Sequence, residues 1–190
     1  MEKNSTIFVI RHGEAISNEP YSPLTDIGQK QAEQLAEFLS PLTNFENDTI
    51  ISSPFLRASQ TAAILAARTN QTFCTDQRLK ERNIGDYQGE NNKLWDELRE
   101  HFKDMDHKFV HGESNREVCV RVTSLIEELR QSNHQNIFLI THRLTMLVLF
   151  NHYDTNFDFD KGASITNPDV YSINFINGEV EIKRLWKDKL

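Results

Sequence analysis

The chain has 190 residues, 38% of them apolar, enough for one sizeable core and short for two, so residues 1–190 are expected to form a single domain. Its 28 acidic residues outnumber 21 Lys and Arg, and the resulting formal charge of −7, with no basic block, excludes a nucleic-acid footprint. The longest apolar stretch, Leu144 to Phe150, is far below membrane-spanning length, and the polar start Met1 to Ser5 leads into a run too short for a signal peptide. A soluble, cytoplasmic protein with no membrane contact is therefore expected. Cys74 and Cys119 lie far apart beside apolar or small neighbours and read as buried free thiols, with one disulfide as the alternative.

Taken in order, Thr6-Ile7-Phe8-Val9-Ile10 reads as a strand buried on both faces, and it runs straight into Arg11-His12-Gly13-Glu14. Glu14 to Pro23 is polar and aperiodic, a loop over the strand end. Thr25 caps a helix with Ala32, Leu35, Ala36 and Leu39 on one face, stopped at Pro41. A short strand, Thr49 to Ile51, turns at Ser52-Ser53-Pro54 into a helix with a Ser cap, Pro at its first position, Arg57 in its first turn and a face of Ala58, Ala62, Leu65 and Ala66.

Thr72 to Thr75 is a weaker strand candidate, followed by Leu79-Lys80-Glu81-Arg82 and a turn from Gly85 to Gly89. Leu94, Trp95, Leu98 and Phe102 mark an amphipathic helix in which the aromatic rings serve the core. Lys103 to Gly112 reads as a loop. Ser114 with Glu117 forms a capping box for a long helix whose stripe is Cys119, Val122, Ile126 and Leu129. Ile137 to Ile140 is a second fully apolar strand, followed at once by Thr141-His142-Arg143, and Leu144, Leu147 and Val148 continue as a helix. After an acidic, aromatic loop from Asp154 to Pro168, the chain closes with strands around Asn177-Gly178, a strong hairpin signal. Strands alternating with helices, then a terminal hairpin on one edge, predict a three-layer α/β/α sandwich with a mostly parallel sheet.

In such a sheet, ligands bind beyond the carboxyl ends of the strands, where Arg11, His12, Arg57 and His142 all fall. Guanidinium forks match the oxygens of a phosphoryl group and hold its charge while a neutral imidazole attacks phosphorus. A carboxylic acid must then protonate the leaving alkoxide, and Glu81 is the candidate by context. Its neighbours Lys80 and Arg82 offer a competing reading as a solvated charge cluster. His101, His107 and His111, with Asp104 and Asp106, mimic a metal-ligand pattern, but the surrounding charges and glycine read as a solvated loop. No metal and no cofactor is expected.

Arg11-His12-Gly13-Glu14 with Asn18, Ser52-Ser53-Pro54 with Arg57-Ala58 and Gln60-Thr61-Ala62, then Leu79, Glu81, Gly85, Gly89, Gly112-Glu113-Ser114 and Thr141-His142 keep a family order. Over nearly the whole chain the sequence resembles the histidine phosphatase superfamily, in the branch holding cofactor-dependent phosphoglycerate mutases and related phosphatases. The resemblance implies His12 as the phosphorylated nucleophile, Arg11, Arg57 and His142 as the phosphate pocket, and Glu81 as proton donor. It also implies that Gly13 orients His12 through its backbone and that Asn18 reaches toward phosphate or substrate. One position departs: the family usually has glycine after the second histidine, and this chain has Arg143. Arg143 would narrow the pocket, alter the local backbone, or add a cation for a second acidic group on the substrate.

A compact chain with a short Trp186 to Leu190 extension offers little lid material, which favours phosphomonoester hydrolysis of a small phosphorylated metabolite. A phosphoglycerate mutase-type transfer and a non-catalytic phospho-ligand sensor are the alternatives. The sequence specifies neither the substrate nor the oligomeric state.

Overall fold

A computed structural model describes residues 5–43 and 47–187. The polar start over residues 1–4 and the end of the extension over residues 188–190 lie outside the described residues. Strand β1, Thr6–Arg11, is continuously apolar because both its faces are covered. Ile7 and Val9 join one buried cluster and Phe8 and Ile10 the other, as the two-residue repeat of a strand requires. Its neighbour β4, Asn136–Thr141, does the same with Ile137 and Leu139 against Phe138 and Ile140. Phe8 and Phe138 stack across the pair at 4.8 Å between ring centres.

The six-stranded sheet runs in the order β3 (Cys74–Thr75), β2 (Thr49–Ser52), β4, β1, β5 (Asp169–Ile176), β6 (Glu179–Lys187). The β3–β2, β2–β4 and β4–β1 pairs are parallel, and β5 is antiparallel to both of its neighbours. The terminal hairpin turns on Asn177 and Gly178, whose φ values of 53° and 81° are what a two-residue turn matched to strand twist demands.

Helices α1 (Asp26–Leu39) and α2 (Leu56–Arg68) cover the Phe8 and Phe138 face. Thr25 caps α1 by accepting from the Gly28 N–H, and after Leu39 the chain tightens into a 3-10 turn, Ser40–Leu42, that carries Pro41. The small Ala58, Ala62 and Ala66 let α2 sit close against the sheet. Helices α4 (Asn115–Arg130) and α5 (Arg143–Tyr153) cover the other face, with α3 (Leu94–Glu100) packed there through Leu98. The expected box closes α4, with Ser114 Oγ accepting from the Glu117 N–H and the Glu117 carboxylate accepting from the Ser114 N–H. The three-layer α/β/α sandwich predicted from sequence is the observed fold.

Several local expectations are corrected. Helix α2 starts at Leu56 without a side-chain cap, because Ser53 Oγ accepts from the Phe55 N–H in a turn that ends before the helix. Strand β3 shrinks to two residues at the sheet edge, and Cys74 on it is exposed rather than buried. Cys119 is partly buried, both thiols are free, and the α4 stripe is completed by Val118 and Leu125. The segment read as a loop from Asp154 to Pro168 contains helix α6, Phe159–Ala163, capped by Asp158. Among the described residues no helix is long and apolar enough to cross a membrane.

Candidate active site

Parallel pairing of β1 with β4 places Arg11 opposite Thr141, so His12 and His142 leave the sheet side by side. The His12 N–H donates to the Thr141 carbonyl at 3.2 Å, and the Ser53 N–H at the end of β2 donates to Ile140 at 2.8 Å. From β1 the chain departs toward α1 on one face; from β4 it departs toward α5 on the other. That divergence opens a crevice at the strand ends, the usual ligand position in an open α/β sheet. A cavity of about 700 Å³ lies there, and five basic side chains, Arg11, Arg57, Lys80, Arg82 and Arg143, line it against Glu19, Glu81 and Glu113. The charge balance of the pocket is thus opposite in sign to that of the chain.

His12 Nδ1 lies 2.6 Å from the Gly13 carbonyl oxygen. A carbonyl only accepts, so Nδ1 carries the proton and Nε2 presents its lone pair. The Arg57 Nε–H donates to that lone pair at 3.0 Å, which the neutral ring alone permits. Burial, and then the charges of Arg11 and Arg57, hold the His12 pKa well below its ordinary value of 6.5. The ring is neutral and oriented, with its lone pair on Nε2. Gly13 is required for this placement: a Cβ there would meet the Gly28 carbonyl oxygen at 2.5 Å, where the loop crosses α1.

Arg57, although 2% exposed, is fully engaged on one side, with Nη1 donating to the Asn18 and Glu19 carbonyls at 3.1 and 2.8 Å. It therefore ties the 14–23 loop to His12. Asn18 lines the cavity and contributes its backbone oxygen to this anchor. Arg11 donates from Nη1 to the Ile165 carbonyl at 2.7 Å, while its buried Nε has no partner among the described residues. Burial and the nearby Arg143 push the Arg11 pKa down to about 9, so it still carries its charge at neutral pH.

Glu81 is held by the start of α5. Its carboxyl oxygens accept from the N–H groups of Leu144 at 3.2 Å, Thr145 at 3.0 Å and its own neighbour Arg82 at 2.9 Å, with the Thr145 hydroxyl at 3.2 Å. The donors that α5 leaves unpaired at its first turn are answered by a side chain from a distant loop. His142 precedes the same helix and is fully buried, with Nε2 2.7 Å from Ser53 Oγ and its ring 4.9 Å from that of His12. It is more deeply buried than His12 and does not line the cavity, and among the described residues its buried Nδ1 has no partner. Arg143 takes ordinary helical backbone as the first residue of α5, so no local strain accompanies the missing glycine, and its side chain lines the cavity. Trp95, read from sequence as helix core, lines the cavity as well. Among the described residues no cluster of His, Cys, Asp and Glu could hold a metal ion; His101 and His107 instead stack at 3.9 Å.

The sequence reading missed the 164–169 loop. Asn167 Nδ2 donates to the His12 carbonyl at 3.0 Å, next to the Ile165 carbonyl that holds Arg11. Asp169, fully buried at the start of β5, anchors this loop by accepting from the Thr166 N–H and from Arg184. The dipeptide Asn167-Pro168 was the available signal, but it indicates a turn and not its destination. Asn167→Ala is expected to lower kcat about tenfold through a displaced nucleophile, with KM within about twofold. Unchanged kinetics beside a lowered melting temperature would reduce Asn167 to a structural role.

Burial also holds the His142 pKa well below 6.5, ahead of the charges of His12 and the arginines. Below about pH 6.5 the unfolded chain binds protons that these two buried rings refuse, so their contribution to stability is complete above that pH and is lost progressively as pH falls. Together they add up to about 2.7 kcal/mol per pH unit to the slope. Urea unfolding between pH 7.5 and 5.5 measures it: in His12→Asn the slope is expected to fall by about half a proton at pH 6.5 and nearly one at pH 5.5, and an unaltered slope would contradict a neutral buried His12.

Comparisons with known proteins bear on the family and the fold. The family model for the histidine phosphatase superfamily (branch 1) matches residues 7–188. A protein of Hydrogenobacter thermophilus named "Putative phosphoserine phosphatase 2" is 31% identical over 157 residues, which cover 74% of each chain. A mycobacterial glucosyl-3-phosphoglycerate phosphatase, solved with VO3, superposes with a TM-score of 0.75 at 20% identity over 97% of this chain and all of its own. A phosphoglycerate mutase from Bacillus anthracis gives the same TM-score and identity over 97% of this chain and 93% of its own. At these identities the two solved structures speak for the fold.

Proposed function

The chain belongs to the histidine phosphatase superfamily, and from that premise we propose that it hydrolyses a small phosphomonoester through a phosphohistidine at His12, without a metal ion. The observation that carries the proposal is the His12 ring itself: its Nδ1 proton is held by Gly13, and its Nε2 lone pair lies among the guanidinium groups of Arg11 and Arg57. The name of the Hydrogenobacter relative supports phosphatase chemistry.

In this reading Nε2 attacks phosphorus as the ester P–O bond breaks, and the Glu81 carboxylic acid gives its proton to the departing alkoxide. The Arg57 Nε–H, until then directed at Nε2, turns to a phosphoryl oxygen, and Arg11 offers its unpartnered Nε. Glu81, now a carboxylate, takes a proton from water; the water oxygen attacks phosphorus, the P–N bond breaks, and His12 returns neutral with inorganic phosphate as product. Phosphoryl transfer of this kind relies on positioning and charge stabilisation, both of which protein side chains supply here.

The test is release of inorganic phosphate from a panel of phosphorylated metabolites in EDTA, with 2,3-bisphosphoglycerate and 3-phosphoglycerate included. Turnover in EDTA is the expected result. Return of the phosphoryl group to an organic acceptor would make the protein a mutase, and absence of both turnover and a labelled protein would make it a ligand sensor.

A further inference from the structure

Of the arginines lining the cavity, three have donors in use by the protein. Arg57 serves His12 and two loop carbonyls, Arg11 serves Ile165, and Arg82 gives Nε, Nη1 and Nη2 to Glu113, Asn115 and His107. Among the described residues Arg143 makes no hydrogen bond and no ion pair; its one contact of note is with Trp95 of α3, whose ring centre lies 4.1 Å from the guanidinium carbon. With no hydrogen bond or ion pair among the described residues, the Arg143 N–H donors are available to a ligand. The stack also restricts a long side chain before any ligand arrives.

Arg143 stands near Arg11 but enters the cavity from the opposite side of the sheet to Arg57. Arg57 comes from the α2 face of the sheet, whereas Arg143 and Trp95 come from the α5 and α3 face, beside Leu94 and Leu98 and near Glu81. Glu81 marks the side from which the leaving group departs. Resting on the phosphatase reading above, we infer that Arg143, packed against Trp95, binds a carboxylate carried by the leaving group, so that the preferred substrate is the phosphate ester of a hydroxy acid. One planar fork matches one carboxylate in two parallel hydrogen bonds.

The experiment compares 3-phosphoglycerate with glycerol 3-phosphate, which differ only in a carboxylate against a hydroxymethyl group. Wild-type protein is expected to favour 3-phosphoglycerate in kcat/KM. Arg143→Met is expected to lower that value by about 10- to 100-fold, at least tenfold more than it lowers the value for glycerol 3-phosphate. Arg143→Lys, which keeps the charge but lacks the fork, recovers only part of the preference. Equal losses on both esters would assign Arg143 to the phosphoryl group, and a preference for a bisphosphate over both would replace the carboxylate by a second phosphate; either overturns the inference. Calorimetric binding of the two esters to wild type and Arg143→Met keeps the question separate from catalysis: the metabolite panel decides the phosphatase reading, while the affinity ratio decides the subsite.

Discussion

His12→Ala is expected to lower kcat by on the order of 10⁴- to 10⁶-fold and to abolish any phosphorylated form of the protein. The size follows from what no neighbour can replace. His142 is the other imidazole in reach, but it is fully buried, and its Nε2 is taken up with Ser53 Oγ. Arg11 and Arg57 are cations without a lone pair to offer. Water could still attack a phosphoryl group bound by the arginines, and the residual rate measures what positioning and charge alone achieve. His12→Asn should be similarly inactive and better folded, since an amide can still meet the Gly13 carbonyl. A His12 variant within about tenfold of wild type would remove the nucleophile from the mechanism.

The second large effect is at Arg57. Arg57→Ala removes a charge from the phosphoryl cradle, the donor that aligns Nε2, and both hydrogen bonds that hold Asn18 and Glu19 against the site. A loss of on the order of 10³-fold in kcat/KM is expected, as for removal of a charged donor used in the transition state. Arg57→Lys separates the roles. An ammonium restores the charge but cannot serve His12 and two carbonyls together in the fixed geometry of a fork, so it should recover at most about tenfold. Full recovery with lysine would show that charge alone matters and that the loop anchor is incidental. Because the buried side chain is large, the variants must be compared at equal folded fraction, checked by thermal melting.

Where a feature rests on local chemistry, the chain announces it. The two apolar strands, the Thr25 cap, the Ser114 and Glu117 box and the Asn177-Gly178 turn each follow from a few neighbouring residues, and each is present. The strand-end placement of Arg11, His12 and His142 follows from parallel pairing, which the βαβ pattern implies. Features that depend on long-range pairing were hidden. Asn167 and Ile165 reach His12 and Arg11 across 155 and 154 residues only because β5 returns antiparallel beside β1. Glu81 was visible as an acid near a turn, but its attachment to the start of α5 bridges more than 60 residues. Arg143 was legible as a departure from a pattern; that Trp95 lies under it depends on how α3 packs beside α5, which no local period encodes. Cys74 was misread for the same reason, since only the sheet order makes β3 an edge.

The central claim is that one nitrogen, Nε2 of His12, receives the phosphoryl group. Rapid quenching of the protein with a labelled phosphomonoester, followed by ³¹P and ¹⁵N NMR of the trapped protein under alkaline conditions, tests it most directly. The structure predicts a single phosphohistidine with phosphorus bonded to Nε2 of His12, because Nδ1 is held by the Gly13 carbonyl. Phosphorus on Nδ1, on His142 or on no histidine during turnover would contradict the account.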